Sequence, residues 1–394
     1  MTALLRQEND AWSLRSAHAA ARRGPLTTVE AALLDFVRPG GTLAPALTGP
    51  EWERVVALAV REQVSPLVLA ALRERHGAAP ASALTALEQV SLRTAAHGAA
   101  AYAQLTAVLQ CLRAAGVAAA LIKGAALARF AYGDSALRPF NDLDLLISRR
   151  DYPAADRAVR EAGYVTLQVG RRSLGAGEQV YWDPSWRHVP IDLHWRFDAD
   201  PLRLGLDYDA MLRRACAGTI DAEPVLVLSP ADTLVALSAH FVKHLWGSRP
   251  RLRYLRDMAE VVRRHRVDWG AVASAAVEAP RARSPLRLAL AAAACLTDAS
   301  VPAEVFRALA PSRGTRVDRY LRGLVCRRIL RRDTPFAALI QVAAVRWLDR
   351  DVWDVYPRLT AAVLDTQGRR VFSRLRRHRR PRGRQAASSA RRTA

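Results

Sequence analysis

Residues 121–148 read LIKGAALARFAYGDSALRPFNDLDLLIS, and residues 189–195 read VPIDLHW. The apolar run Val117 to Ile122 meets Lys123 and Gly124 and passes into helix-like Ala125 to Tyr132, the pattern of strand, turn and helix. Leu143, Leu145, Leu146 and Ile147 give a second strand, in which Asp142 and Asp144 alternate with leucines. Successive strand side chains face opposite ways, so the two aspartates share one face while Leu143 and Leu145 enter a core. Two strand steps separate the carboxylates by roughly 6.6 Å, and at an effective dielectric of 20 they repel by roughly 2.5 kcal/mol. Something positive should sit between them. Mg²⁺ is one candidate, because it binds through one or two carboxylates plus substrate phosphates. A salt bridge to Arg138, or a solvated strand edge, is the alternative from these two residues alone.

A third acid, Asp192, lies in the second segment, which alternates like a half-buried strand and puts Asp192 and His194 on its polar face. If this strand pairs beside the one carrying Asp144, three carboxylates converge, as two-metal phosphoryl transfer requires. His194 is then either a core histidine or a neighbour of the metal or nucleotide. Gly124 opens a helix, where free backbone N–H groups and the helix dipole hold phosphate. It lacks the glycine spacing of a Walker loop or Rossmann turn, which disfavours those nucleotide folds.

Outward from this centre the texture changes. Residues 28–110 read as helical, punctuated at Pro66 and at Gly77 to Pro80. After Leu143 to Ile147 come a helix from Tyr152 to Ala162 and three further strands: Tyr164 to Val169, Gln179 to Trp182 and Val189 to Trp195. From Leu206 to Phe372 the pattern returns to helix, including Ala231 to Trp246, Leu252 to His265 and Pro285 to Leu296. The expected organisation is α+β: an extension (1–27), a helical region (28–110), a mixed-sheet core (111–205), a C-terminal helical domain (206–372) and a disordered Arg-rich tail (373–394).

The C-terminal helices bring a second polar set. His240, Lys243 and His244 stand at i, i+3 and i+4, hence on one helix face. The histidine pair has helical zinc spacing, but no Glu lies between them and no third ligand follows, which disfavours zinc. Lys243 is either a neutraliser of β and γ phosphates or a lysine on a solvated helix edge. Asp257 is expected to pair with Arg253 one turn away.

Composition narrows the partners. The formal net charge is +22, of which nine charges are Arg374, Arg376, Arg377, Arg379, Arg380, Arg382, Arg384, Arg391 and Arg392; removing them leaves about +13 on the body. Such a surface attracts polyanions, nucleoside triphosphates and RNA alike. The only two lysines among 59 basic residues are Lys123 and Lys243, both inside the candidate segments. Four scattered cysteines show neither metal-ligand spacing nor the density of a disulfide scaffold. The N-terminal stretch has no signal-type apolar run, and Leu286 to Leu296 is too short to span a bilayer, so a cytoplasmic protein is expected.

Taken in order, Lys123, Gly124, Tyr132, Arg138, Asp142, Leu143, Asp144, Asp192, Leu193, His194 and Trp195 resemble the bacterial family called uncharacterised nucleotidyltransferases, a branch of the DNA polymerase beta superfamily. The resemblance runs from about residue 30 to 270 and is most specific between Lys123 and Asp144. It implies a small mixed sheet with flanking helices, Asp142, Asp144 and Asp192 as catalytic and metal-binding acids, and Gly124 against the triphosphate. The expected activity is transfer of an NMP from an NTP to a hydroxyl, with Mg²⁺ or else Mn²⁺ as cofactor and release of pyrophosphate. Lys123, Arg138, Lys243 and His194 are the further nucleotide-binding candidates, and His240, His244 and Asp257 stand behind them. Two departures matter: Ala125 replaces the hydroxyl residue that usually follows the glycine, and the gap from Gly124 to Asp142 is longer than in most of the superfamily. The acceptor stays open between a small molecule, a peptide or protein, and RNA. The rival readings are a catalytically silent nucleotide-binding regulator and an RNA-binding module using the basic tail.

Overall fold

The computed structural model describes residues 26–42, 46–75, 79–166, 177–197, 203–247 and 250–309, with residues 245–247 described by backbone alone. Among the described residues four helices come first: α1 (Thr28–Val37), α2 (Gly49–Glu62), α3 (Ser65–Glu74) and α4 (Ala81–Ala114). Thr27 starts α1 reciprocally, its hydroxyl accepting from Glu30 N while the Glu30 carboxylate accepts from Thr27 N. Two amides that the first turn leaves unpaired are thereby satisfied. α4 begins after Pro80 and has 34 residues, about 50 Å at the helical rise, so it serves two cores. Ala83 and Leu87 join the first three helices, whereas Tyr102, Leu105, Val108 and Leu112 lie beneath the sheet. The expected boundary at residue 110 therefore falls inside one continuous helix.

The sheet has seven strands: β1 (Ala119–Leu121), β2 (Leu143–Ile147), β3 (Val165–Thr166), β4 (Glu178–Trp182), β5 (Ile191–His194), β6 (Cys216–Ile220) and β7 (Glu223–Val227), in the order β3-β4-β5-β2-β1-β7-β6. β1 runs antiparallel to β2 and parallel to β7, while β2 runs parallel to β5. All five expected strands are present, the third shortened to two described residues. The hairpin β6–β7 corrects the expectation of helix from residue 206 onward, because the sheet continues to Val227. Its two-residue turn places Asp221 and Ala222 at φ 48 and 67, the left-handed pair of a type I′ turn that sequence reading seeks as Asn-Gly or Asp-Gly.

Two helices accompany the sheet, α5 (Lys123–Phe130) after β1 and α6 (Tyr152–Glu161) after β2. The rest of the described chain is α7 (Tyr208–Arg213), α8 (Pro230–Gly247), α9 (Leu252–Arg264), α10 (Trp269–Glu278), α11 (Arg283–Thr297) and α12 (Ala303–Ala308). The expected tail at 373–394 lies outside the described residues. None of the described helices is long and apolar enough to cross a membrane.

Strand alternation divides the sheet into two faces. Leu121, Leu143, Leu145, Ile191 and Leu193 bury against α4 and α6. Ala120, Ile122 and Leu146 turn the other way and join the large cluster that includes α8, α9 and α11. Asp144 and Asp192 alternate with the first set, so they belong to the face toward the C-terminal helices.

Candidate active site

β2 and β5 pair in a register that sets Asp144 beside Asp192 and Leu146 beside His194. Paired residues in a parallel ladder share a face. Acids from the two separate segments are therefore neighbours at Asp144 and Asp192, with Asp142 one residue before β2. Asp144, Asp192 and His194 can each offer a ligand atom, all within 4.8 Å of one another.

Lys123 is the positive group between the acids. Its Nζ lies 2.7 Å from Asp144 Oδ1, and both side chains are buried. It reaches there from a strained position: Lys123 has φ 51 at the start of α5, a left-handed conformation costing a non-glycine residue about 1–3 kcal/mol. His194 Nε2 lies 2.7 Å from the same Asp144 oxygen and 3.2 Å from Lys123 Nζ. Its Nδ1 stands 3.2 Å from Glu178 Oε2, an ion-pair contact whose angle falls short of a hydrogen bond. Glu178, directly opposite His194 across β4–β5, also lies 3.5 Å from Lys243 Nζ. Both lysines of the chain thus end on one chain of charges, Lys243, Glu178, His194, Asp144 and Lys123.

This arrangement treats the three aspartates unequally. Burial pushes Asp144 up, but Lys123 and His194 outweigh it and hold the carboxyl well below its usual range. Asp142 is pushed up, first by the charge on Asp144 and then by burial. Burial, followed by repulsion from Asp144, pushes Asp192 to about 7. Burial also opposes charge on His194, yet its contacts with Asp144 and Glu178 prevail and raise its pKa. Asp192 Oδ1 is buried with no hydrogen-bond partner. An orphaned carboxylate oxygen beside two further acids suits a hard divalent cation, whose ligands are oxygens. The cluster of Asp144, Asp192 and His194 has the ligand chemistry of a divalent-cation site.

The helices facing the sheet supply the second expected set. Burial drives His240 well below the usual histidine value, and drives His244 to about 4 with help from Lys243 and Lys123. Both rings are therefore neutral near pH 7. They stand 4.4 Å apart, each 5.0 Å from Tyr254. The expected Asp257–Arg253 pair is not formed. Asp257 instead accepts from Arg138 Nε and NH2 at 3.1 and 2.7 Å and from the Tyr132 hydroxyl at 3.0 Å, all buried. Arg138, expected at the nucleotide, is thus committed to α9, and its direct partner was hidden because 119 residues separate the two. Arg253 donates to Pro139 O at 2.6 Å. Gly124 has a packing reason as well, since a Cβ there would stand 2.7 Å from Phe140 Cβ and 2.9 Å from Arg138 NH1. Glu178 was missed, because one acid at the start of a short strand carries no signal until its partner strand is known.

A family described as uncharacterised nucleotidyltransferase matches residues 48–298. The chain belongs to this family. The match extends past the expected end near residue 270, through α11, and covers every acid and base of the site. Nucleotidyl transfer is accordingly its general chemistry. No curated protein matches the chain. Among solved structures, the antibiotic-resistance factor ANT(2'')-Ia is similar at 11% identity and TM-score 0.32, over 47% of this chain and 90% of that one. An antigenic nucleotidyltransferase-like protein from Paracoccidioides brasiliensis is similar at 19% identity and TM-score 0.31, over 48% and 92% respectively.

Proposed function

We propose that this nucleotidyltransferase moves an NMP from an NTP to a hydroxyl of an acceptor, with Mg²⁺ held by Asp142, Asp144 and Asp192. The observation that carries the reading is the in-register pairing of Asp144 with Asp192 on the sheet face toward α8, with Asp142 alongside. In the reaction the acceptor hydroxyl gives its proton to solvent water as its oxygen attacks the α-phosphorus, the bond to the bridging oxygen of the β-phosphate breaks, and pyrophosphate leaves with the electron pair. Mg²⁺, when bound, supplies charge neutralisation at the phosphates and makes the acceptor hydroxyl a stronger acid.

The chain's own groups position and neutralise. Lys123, bonded to Asp144, is within reach of any phosphate brought to that carboxylate, and the uncapped first turn of α5 at Gly124 offers backbone N–H groups to the same anion. His194, gripped by Asp144 and Glu178, fixes the orientation of Asp144. Lys243 extends the positive side from α8. Arg138 acts through Asp257 to hold the loop that delivers Asp142. Catalysis in this class is largely positioning plus electrostatic stabilisation.

The experiment is transfer of label from each of the four NTPs, labelled at the α-phosphorus, into pools of small metabolites, peptides or RNA in the presence of Mg²⁺. Wild type is expected to transfer label and release pyrophosphate, and Asp144→Asn to lose both. Equal transfer by the two proteins rules out the assigned roles. Mg²⁺-dependent NTP binding without pyrophosphate release from any pool would favour the silent regulator.

A further inference from the structure

Trp186 is 68% exposed and has φ 57, a left-handed conformation uncommon for a bulky side chain. The loop that presents it, between β4 and β5, is tied by one acid. Asp183 accepts from Ser185 N at 2.9 Å, from the Ser185 hydroxyl at 2.6 Å and from Arg187 N at 3.1 Å. The Trp186 ring lies 5.0 Å from that of Trp182, tilted against it. Trp182 Nε1 is buried without a hydrogen-bond partner, although a buried indole N–H usually finds one. Arg187, next along the loop, is exposed and pairs with no carboxylate among the described residues.

Strand alternation decides which face these rings serve. Tyr181 enters the core beside α4 and α6, so Glu178, Val180 and Trp182 take the opposite face of β4, the face of the acids. Val180 stands directly across from Asp192. Trp182 is therefore the diagonal neighbour of Asp192, at about 7–8 Å and within reach of an aromatic ring. The strand order β4-β5-β2-β1 sets Trp182, Asp192, Asp144 and Lys123 across the sheet in that sequence. Under the proposed reaction the phosphates lie with Lys123 and the start of α5. Attacking and leaving oxygens stand in line through the α-phosphorus, so the acceptor arrives from the opposite flank, where the tryptophans are.

We propose that Trp182 and Trp186 form a stacking platform for the acceptor, and that this acceptor is the 3′ end of a single-stranded RNA. The proposal rests on the nucleotidyltransferase reading. The terminal base stacks on Trp186, an interaction open to any base. The Trp182 N–H is left for an oxygen of the same nucleoside, and Arg187 meets the adjoining phosphate, in a chain of net charge +22. An uncharged sugar would use the rings and leave Arg187 idle. At Asp192 the ribose oxygen bonds to the α-phosphorus, its proton passes to solvent water, and pyrophosphate leaves.

The test uses the full chain, RNA hexamers with a free 3′ hydroxyl, and NTPs labelled at the α-phosphorus. Hexamer added in EDTA is expected to quench the tryptophan fluorescence of wild type, a stacking signal that contact with the Arg-rich tail does not produce. Trp186→Ala should lose most of that quench and raise the KM for RNA in label transfer roughly five- to a hundredfold, the scale of one lost base stack. Its KM for NTP should not change. Trp186→Phe, which keeps a ring, should hold the KM for RNA near wild type, and serves if the Ala variant folds poorly. A KM for RNA within twofold of wild type in Trp186→Ala overturns the platform, as does an equal rise for NTP, which would put the donor's base there. Absence of quenching, or label passing to sugars or peptides and not to RNA, overturns it too. Retained label transfer by Asp144→Asn sinks the catalytic reading instead, and because quenching in EDTA needs no catalysis the two failures are distinguishable.

Discussion

The buried knot of Arg138, Asp257 and Tyr132 makes a sharp prediction, because its members come from distant parts of the chain and none reaches water. The Arg138 and Asp257 side chains are 4% and 0% exposed. Asp257→Ala would strand a buried guanidinium, which costs about 3–5 kcal/mol, and would also leave the Tyr132 hydroxyl without its acceptor. Against the roughly 5–15 kcal/mol of a typical domain this is a large loss. With a urea dependence near 3 kcal/mol per molar, the unfolding midpoint should fall by about 1.5 M. If enclosure of an unpaired charge is the cause, removing the charge should repair most of the damage. Arg138→Met combined with Asp257→Leu is therefore expected within about 2 kcal/mol of wild type, since well-packed apolar residues replace buried ion pairs at little cost. Urea titrations followed by tryptophan fluorescence measure both variants. A loss under about 1 kcal/mol for Asp257→Ala, or a double variant no better than the single one, would refute the account of Arg138 as a loop-holding residue.

Three further outcomes follow from the acids and the glycine. Asp192 keeps its proton up to about pH 7 in the folded chain but releases it near 3.9 when unfolded. The folded state therefore binds more protons between those values, and stability falls as pH rises through that window. Asp192→Asn should flatten this slope in EDTA, and an unchanged slope would count against the assignment. The depressed pKa values of Asp144 and Glu178 act the other way and lower down, their stabilisation being lost as pH drops below the ordinary carboxylate range. Saturating Mg²⁺ should raise the melting temperature of wild type at pH 7 through binding linkage and leave Asp144→Asn unmoved; equal shifts in both proteins would argue that the ion binds elsewhere. Gly124→Ala should destabilise by about 1–3 kcal/mol through overpacking against Phe140 and Arg138, whereas a neutral result would show that the 138–140 loop yields freely.

Legibility in the sequence tracked the range of the interactions concerned. β2 and β5 were readable because alternation is local, and their leucines and isoleucines identify the buried face without knowledge of any partner. The meeting of Asp144 with Asp192 required one added assumption, that the two strands pair, which the parallel register supplies. Nothing comparable exists for Asp257: its spacing from Arg253 suggested a local pair, yet a fully buried bidentate contact with Arg138 outcompetes an i, i+4 pair worth a few tenths of a kcal/mol. The hairpin β6–β7 escaped because Asp221 and Ala222 adopt left-handed conformations without glycine, so the chemical marker of the turn is missing. Glu178 escaped because its meaning lies wholly in a cross-strand neighbour.

The two lysines carry the synthesis furthest. In a chain that uses arginine almost everywhere, both lysines terminate the same run of charges through Asp144, His194 and Glu178. Arginine is planar, forked and fixed in charge, which suits the committed pair of Arg138 with Asp257. Lysine is a compact point charge on a flexible stem, able to change partner at small cost in geometry. Under the proposed reaction, Lys123 would stand where the Asp144 carboxylate has to exchange its partner for Mg²⁺ and phosphates, and its left-handed backbone shows that the fold accepts strain to put it there. Lys123→Arg should therefore fold, since the charge is kept, but should bind Mg²⁺ more weakly than wild type, because a bidentate guanidinium on Asp144 is harder to displace. Isothermal titration with Mg²⁺ decides the point: unchanged affinity in Lys123→Arg would mean that Asp144 never has to give up its lysine, and that the ion is held by Asp142 and Asp192 alone.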